Sequence, residues 1–161
     1  FVVPDGFYPK TGAKIYSLLD PTAKMGKTDD NTAGTVFLLD DADTIMRKFK
    51  RAVTDSGNEI KFSADKPGIS NLLTIYSTFG GMSIAAAEKE FASSDYATFK
   101  TRVGECVVEY FRPIRTKYDE IIADKTYLNE VMKKGADKAA RTAYKTLNKV
   151  YRKVGLVPRT F

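Results

Sequence analysis

The stretch AKMGKTDD, residues 23–30, sets Lys24 and Lys27 on either side of a methionine and a glycine and follows them with Thr28. Gly-Lys-Thr is how a P-loop ends, and the chemistry of that loop is the neutralisation of phosphate oxygens by backbone N–H groups and an ammonium. The P-loop pattern needs a glycine five residues before Gly26, where this sequence has Pro21. Proline offers no N–H and fixes φ, so the stretch does not read as a Walker-type loop and the two lysines need another arrangement. Asp29 and Asp30 read as solvated or helix-start acids, and no metal ligand is assigned. The 161 residues include no histidine, which removes His-based acid–base catalysis, Ser-His and Cys-His nucleophiles and ordinary His-containing metal sites. One cysteine, Cys106, excludes an internal disulfide and suits a reducing compartment; it falls in an apolar helical pattern and reads as a packing residue.

A second cationic feature lies near the end of the chain, in GADKAARTAYKTLNKVYRKVG, residues 135–155. At 3.6 residues per turn, Ala136, Ala140, Ala143, Leu147, Val150 and Val154 share one side of a helix. Lys134, Lys138, Arg141, Lys145, Lys149 and Arg152 share the opposite side, with Asp137 as the only acid within that run. Like charges at helical neighbour spacing repel by a few tenths of a kcal/mol (about) per pair, a cost that solvent absorbs or that a phosphate backbone turns into attraction through counterion release. Both readings stand on the sequence alone: a solvated outer face, or a phosphate-contacting one. The formal net charge of +6 leaves the same pair open, since it favours polyanionic partners and also serves plain solubility.

The elements that must carry these features follow from periodicity. KIYSLLD, residues 14–20, is a short apolar run that reads as one buried strand, and PTAKMGKTDDNTAG, residues 21–34, as a mobile loop. After an acidic start at Asp40–Asp43, TIMRKFKRAV places Ile45, Phe49 and Val53 on one helical face. EIKFS, residues 59–63, is briefly strand-like. Pro67 and Gly68 then open the apolar helix ISNLLTIYSTF, closed by Gly80 and Gly81, and Ser83 caps the next. The longest pattern starts near Asp95, with Tyr96, Phe99, Val103, Val107, Tyr110, Ile114, Tyr118 and Ile121 as a core-type stripe and Pro113 as an expected kink. No run approaches a membrane span of about 20 apolar residues, and there is no signal-peptide pattern. Phe1 as first residue, together with FVVPDGFYPKTG, suggests a piece of something longer.

Several of these strings fit one family in order. KMGKT, residues 24–28, resembles the KMSKS signature of class I aminoacyl-tRNA synthetases. Its surroundings, LLDPTAKMGKTDDN, LLDDADTIMRKFKRAVTDS, KPGISNLLTIYS, YFRPIRTKY and GADKAARTA, resemble bacterial-type tryptophanyl-tRNA synthetases from about Pro9 to Gly155. Tyrosyl-tRNA synthetases share a lysine-rich signature loop but are not expected to carry the PGISNLL and RPI strings. A HIGH-type motif cannot be written without histidine, so the resemblance is to the C-terminal half.

That resemblance implies a mainly α fold, with the last strand and signature loop of a Rossmann-type catalytic domain in residues 1–34 and an α-helical, anticodon-side domain in residues 35–161. It implies activation of tryptophan with ATP to tryptophanyl-adenylate and transfer to tRNA(Trp), in the cytoplasm, by a protein that is a homodimer when intact. Lys24 and Lys27 are then the candidates that neutralise the reacting phosphates. Ile15 becomes a candidate adenine contact, with an ordinary core isoleucine as the alternative, and Met25, Gly26 and Thr28 complete the ATP-binding set. Mg²⁺ is implied by ATP alone. Lys134, Lys138, Arg141, Lys145, Lys149 and Arg152 become candidate tRNA contacts. Gly26 and Thr28 depart from the signature's two serines: threonine keeps a hydroxyl and glycine gives one up. The fragment alone is expected to be inactive, and the second class of reading is a basic helical RNA-binding module without catalysis.

Overall fold

The computed structural model describes residues 2–9, 11–28 and 31–157. The chain divides into two compact units between Arg115 and Thr116. In the first, α1 (Ala42–Lys50) starts because Asp41 caps it, its carboxylate accepting from the Thr44 N–H at 2.6 Å, and the basic Arg47, Lys48 and Lys50 fill its last turn. Ile45 and Phe49 are its buried face. Helix α2 (Pro67–Gly80) opens on Pro67, where a missing N–H costs nothing, and ends at Gly81 in the left-handed region, φ 66°. Ile69, Leu72, Leu73, Ile75 and Tyr76 are all buried, so α2 is wrapped on several sides and forms the centre of the core. Helix α3 (Ile84–Glu90), capped by Ser83, adds Ala87, and α4 (Tyr96–Ala123) adds Phe99, Val103 and Val107. Edge-to-face aromatic pairs tie these together, Tyr76 to Phe91 at 4.9 Å and Phe91 to Phe99 at 4.8 Å between centroids. Cys106 packs against this cluster, where burial pushes its thiol up, as a packing residue requires.

Gly68 shows how tight the entry to α2 is. A Cβ at this position would lie 2.2 Å from the Val53 carbonyl oxygen, which is backbone and cannot swing aside. We expect Gly68→Ala to cost about 2 kcal/mol or more, lowering the thermal midpoint by roughly 4–8 °C. An unchanged midpoint in a calorimetric scan would contradict this packing.

The described residues are mainly α, as expected, and contain no β-strand. The run 14–20 is buried at Ser17 and Leu18 as anticipated but forms a single antiparallel bridge, Tyr16 with Lys24. A strand needs a ladder, and here the backbone groups go elsewhere. Leu18 donates its N–H to Gly34 O at 2.8 Å and accepts from Val53 N–H at 2.7 Å. EIKFS is likewise irregular, although Ile60 is buried. Val53 lies beyond the end of α1 and is 45% exposed; Ala52, buried, takes the inward place because the helix has already ended. The segment 21–34 is not simply loose, for it holds a 3-10 turn at Thr32–Gly34 with Gly34 buried. The stripe of α4 is core only as far as Val107. Tyr110, Ile114 and Tyr118 are 40–50% exposed, and the helix continues through Pro113.

The second unit contains the end of α4 and α5 (Lys125–Val154), which starts at Asp124, whose carboxylate accepts from the Tyr127 N–H at 2.9 Å, and ends at Gly155 with φ 77°. No residue of α5 is buried. No helix among the described residues is long and apolar enough to cross a membrane.

Several capping and turn carboxylates are held below the ordinary carboxylate value: Asp41 by the Thr44 N–H, Asp95 by the Thr98 N–H and Asp20 by the Thr22 hydroxyl. At Asp55 burial pushes upward, but the Gly57 N–H, the Tyr96 hydroxyl and Lys66 outweigh it and the carboxyl again lies low. A folded-state value below the unfolded one means stability that is complete above the unfolded value of 3.8 and is lost as pH falls through the folded values. Chemical unfolding should therefore give constant stability from pH 7 to about 5 and a decline below about 4. A flat profile down to the lowest pH reached would count against these bonds.

Candidate functional site

Lys24 and Lys27 stand on a loop whose base is fixed, and neither lies in a helix. The turn begins at Asp20, whose Oδ1 accepts from the Thr22 N–H at 3.0 Å and the Thr22 hydroxyl at 2.6 Å, while Ala23 N–H reaches Asp20 O at 3.1 Å. Pro21 sits second in this turn, the position for which its fixed φ is suited. The returning arm pairs with the outgoing one: Ser17 N–H donates to Ala23 O and Met25 N–H to Ile15 O, both at 2.9 Å. Tyr16 and Lys24 are thus a non-hydrogen-bonded antiparallel pair, whose side chains lie close together on one face. Lys14 shares that face, its Nζ 4.8 Å from the Tyr16 ring centroid.

The outer edge of the hairpin is tied to α2 by one side chain. Asn71, buried in α2, accepts from Tyr16 N–H at 2.9 Å and donates its Nδ2–H to Tyr16 O at 2.8 Å. The amide does for Tyr16 what a neighbouring strand would do. Past the bridge, Thr35 Oγ1 donates to Gly26 O at 3.1 Å, and Lys48 Nζ donates to Thr35 O at 2.7 Å and to Asp40 Oδ2 at 2.6 Å.

The sequence-chosen residues therefore fall into distinct situations. Lys24 is exposed on the bridged arm, Met25 and Ile15 pack against the core, Gly26 is partly buried at the tether, and Lys27 and Thr28 are exposed beyond it. Neither Lys24 nor Lys27 forms an ion pair with a described residue; Asp29 and Asp30 lie outside the described residues. Sequence reasoning missed Asn71, Thr35 and Lys48. A lone amide inside ISNLL was a legible signal, since a buried polar group in an apolar helix needs a partner. Thr35 and Lys48 carried none, because their partners are set by the chain path.

On α5 the six basic residues keep the common face that periodicity gave them, and all are exposed. Lys134 is paired with Glu130 at 3.6 Å, an exposed ion pair of little energetic weight. Lys138, Arg141, Thr142 and Lys145 line an open depression of about 590 Å³. The opposite Ala/Leu/Val side is also exposed; in this half of the helix the partly covered residues are Tyr144, Asn148 and Tyr151, which lie between the two stripes.

Comparison with known proteins bears on both features. The family model described as tRNA synthetases class I (W and Y) matches residues 1–112, which include the lysine loop and stop short of α5. The tryptophan–tRNA ligase of Clostridium acetobutylicum is 40% identical over 157 residues, 98% of this chain and 47% of that protein. That of Bacillus anthracis is 45% identical over 157 residues, 97% of this chain and 47% of that protein. Among solved structures, the crystal structure of tryptophanyl-tRNA synthetase from Mycoplasma pneumoniae superposes with a TM-score of 0.80 at 28% identity, covering 92% of this chain and 45% of that one. The chain thus spans about half the length of the relatives it matches, which fits the expected correspondence to a C-terminal half. With the family model covering well over half of the residues and relatives aligned along nearly all of them, this chain belongs to the class I tRNA synthetases of the W and Y family.

Proposed function

We propose that this chain is the C-terminal half of a tryptophan–tRNA ligase, a protein that activates tryptophan with ATP and transfers it to tRNA(Trp). In this reading residues 1–34 are the edge of the Rossmann-type catalytic domain and residues 35–161 the helical anticodon-side domain. The observation that carries it is the loop with an anchored base and two exposed lysines, in a chain 40–45% identical to tryptophan–tRNA ligases. Loop 24–28 is then the KMSKS-type loop. The tryptophan carboxylate attacks the α-phosphorus in line, the bond to the β-phosphate oxygen breaks, and pyrophosphate leaves with the bond's electron pair.

Lys24 and Lys27 meet the charge that grows on the phosphoryl oxygens and on the departing pyrophosphate, the main contribution a protein makes to phosphoryl transfer. Lysine suits a moving loop because its ammonium is a compact charge on a flexible stem. The two are not equivalent: Lys24 is held in register by the hydrogen bonds flanking it, whereas Lys27 follows the last tethered residue. Ile15, fixed beside Met25 at the hairpin base, offers an apolar edge for the adenine, and Gly26 and Thr28 complete the ATP-binding set. Mg²⁺ arrives with ATP, and no protein ligand is assigned to it. The exposed basic face of α5, about 27 Å from Lys134 to Arg152, lies along the tRNA backbone. A cytoplasmic location and a homodimer of the intact protein belong to the same reading.

The test is tryptophan-dependent exchange of pyrophosphate into ATP, followed by charging of tRNA(Trp). The full-length protein should show both, with tyrosine unable to replace tryptophan, and the isolated chain neither. A full-length protein without exchange, whose α5 binds RNA with affinity that falls steeply with salt, would instead be a non-catalytic RNA-binding module.

A further inference from the structure

We infer that Thr35, held in place by Lys48, is the positioning residue that sets where the lysine loop can swing, making up through the backbone for the side-chain hydroxyl that Gly26 lacks. The inference rests on the catalytic reading above and adds to it a residue that reasoning from the signature does not reach.

Thr35 is 4% exposed and every one of its polar groups has a fixed partner. Its N–H donates to Thr32 O at 3.2 Å and closes the 3-10 turn. Its carbonyl accepts from Lys48 Nζ at 2.7 Å. That ammonium is immobilised in turn: it pairs with Asp40 at 2.6 Å, both side chains being 15% exposed or less, and lies 5.0 Å from the Phe37 ring centroid. Asp40 also accepts from the Phe37 N–H at 2.9 Å. With its backbone held on both sides, Thr35 can aim its hydroxyl in one direction, and it donates to Gly26 O at 3.1 Å.

This bond joins two residues nine apart and closes a neck around the intervening segment. One residue away, Leu18 N–H bonds Gly34 O at 2.8 Å, so the far side of the neck is pinned to the hairpin as well. Lys27 is the first residue past the neck. Its ammonium is placed by rotation about a point that Thr35 fixes, and reacting charges tolerate little misplacement. A side-chain anchor at position 26 would survive changes at position 35. The bond to the Gly26 carbonyl does not, because Thr35 supplies its donor.

The experiment uses the full-length protein and compares tryptophan-dependent pyrophosphate exchange in five forms: unsubstituted, Thr35→Val, Thr35→Ser, Lys27→Ala and Thr35→Val combined with Lys27→Ala. Valine keeps the branched volume and removes the donor. We expect Thr35→Val to lower the exchange rate about fivefold to tenfold, the scale of one hydrogen bond, with the KM for tryptophan unchanged. Thr35→Ser should stay within about twofold of the unsubstituted rate, since it keeps the donor. On the Lys27→Ala background Thr35→Val should cause no further loss, because a residue that acts through Lys27 has nothing left to position. An equal loss on both backgrounds, or none on either, overturns the role of Thr35 while leaving the enzyme reading intact. Absence of exchange in the unsubstituted protein overturns the enzyme reading, and the role of Thr35 with it.

Discussion

Lys27→Ala in the full-length protein is expected to slow adenylate formation about a hundredfold or more while changing ATP affinity much less. The size follows from what one preorganised donor contributes when it meets charge present only in the transition state, about 3 kcal/mol. The asymmetry between rate and affinity follows from the structure. Lys27 lies exposed beyond the tether at Gly26, with no ion pair to a described residue. A lysine free to reach a phosphate late in the reaction adds little to the ground-state complex. Lys24→Ala makes a useful companion, since Lys24 is held opposite Tyr16 by bonds on either side, which on the proposed reading sets it in place before ATP binds. Its loss should appear in ATP affinity as well as in rate. A single-turnover measurement in which Lys27→Ala forms adenylate at the unsubstituted rate would remove Lys27 from the chemistry.

Asn71→Ala is expected to be the most damaging single change to the hairpin. It strips partners from both the N–H and the C=O of Tyr16, which lie partly buried against α2. An unsatisfied buried backbone group costs about 1–3 kcal/mol, so the two together give about 3 kcal/mol and a fall in thermal midpoint of roughly 6–12 °C. Asn71→Asp separates the two bonds: it keeps an acceptor for the N–H and removes the donor for the carbonyl. It should cost more than half as much, because it also places a carboxylate in a buried position. The functional consequence falls on Lys24, whose arm is registered against the segment that Asn71 holds. If Asn71→Ala unfolds within about 0.5 kcal/mol of the unsubstituted chain, ordered water or a shifted hairpin supplies the missing partners and the amide is not the anchor.

Much of this protein was legible without coordinates. The start and stop of α2 and the start of α3 follow from Pro67, Gly81 and Ser83, because capping and φ preferences act within a few residues and are written locally. The lysine loop was legible for the same reason, as Pro21 excludes a P-loop and the turn-forming residues of 21–34 speak against a regular element. Periodicity alone put six basic residues of α5 on one face. Tertiary structure decided the rest. The apolar run 14–20 says that it is buried and does not say by what, and its backbone bonds went to Ala23 and Met25 of its own hairpin and to Asn71, Gly34 and Val53 rather than to a sheet. The stripe of α4 looks uniform from Tyr96 to Ile121, yet it is core only as far as Val107; burial depends on what lies opposite, and periodicity records only the face. The neck formed by Thr35, Gly26 and Lys48 is the clearest case. None of these residue types is unusual for its place, and their partnership exists because folding brings together groups that the chain itself keeps nine and thirteen residues apart.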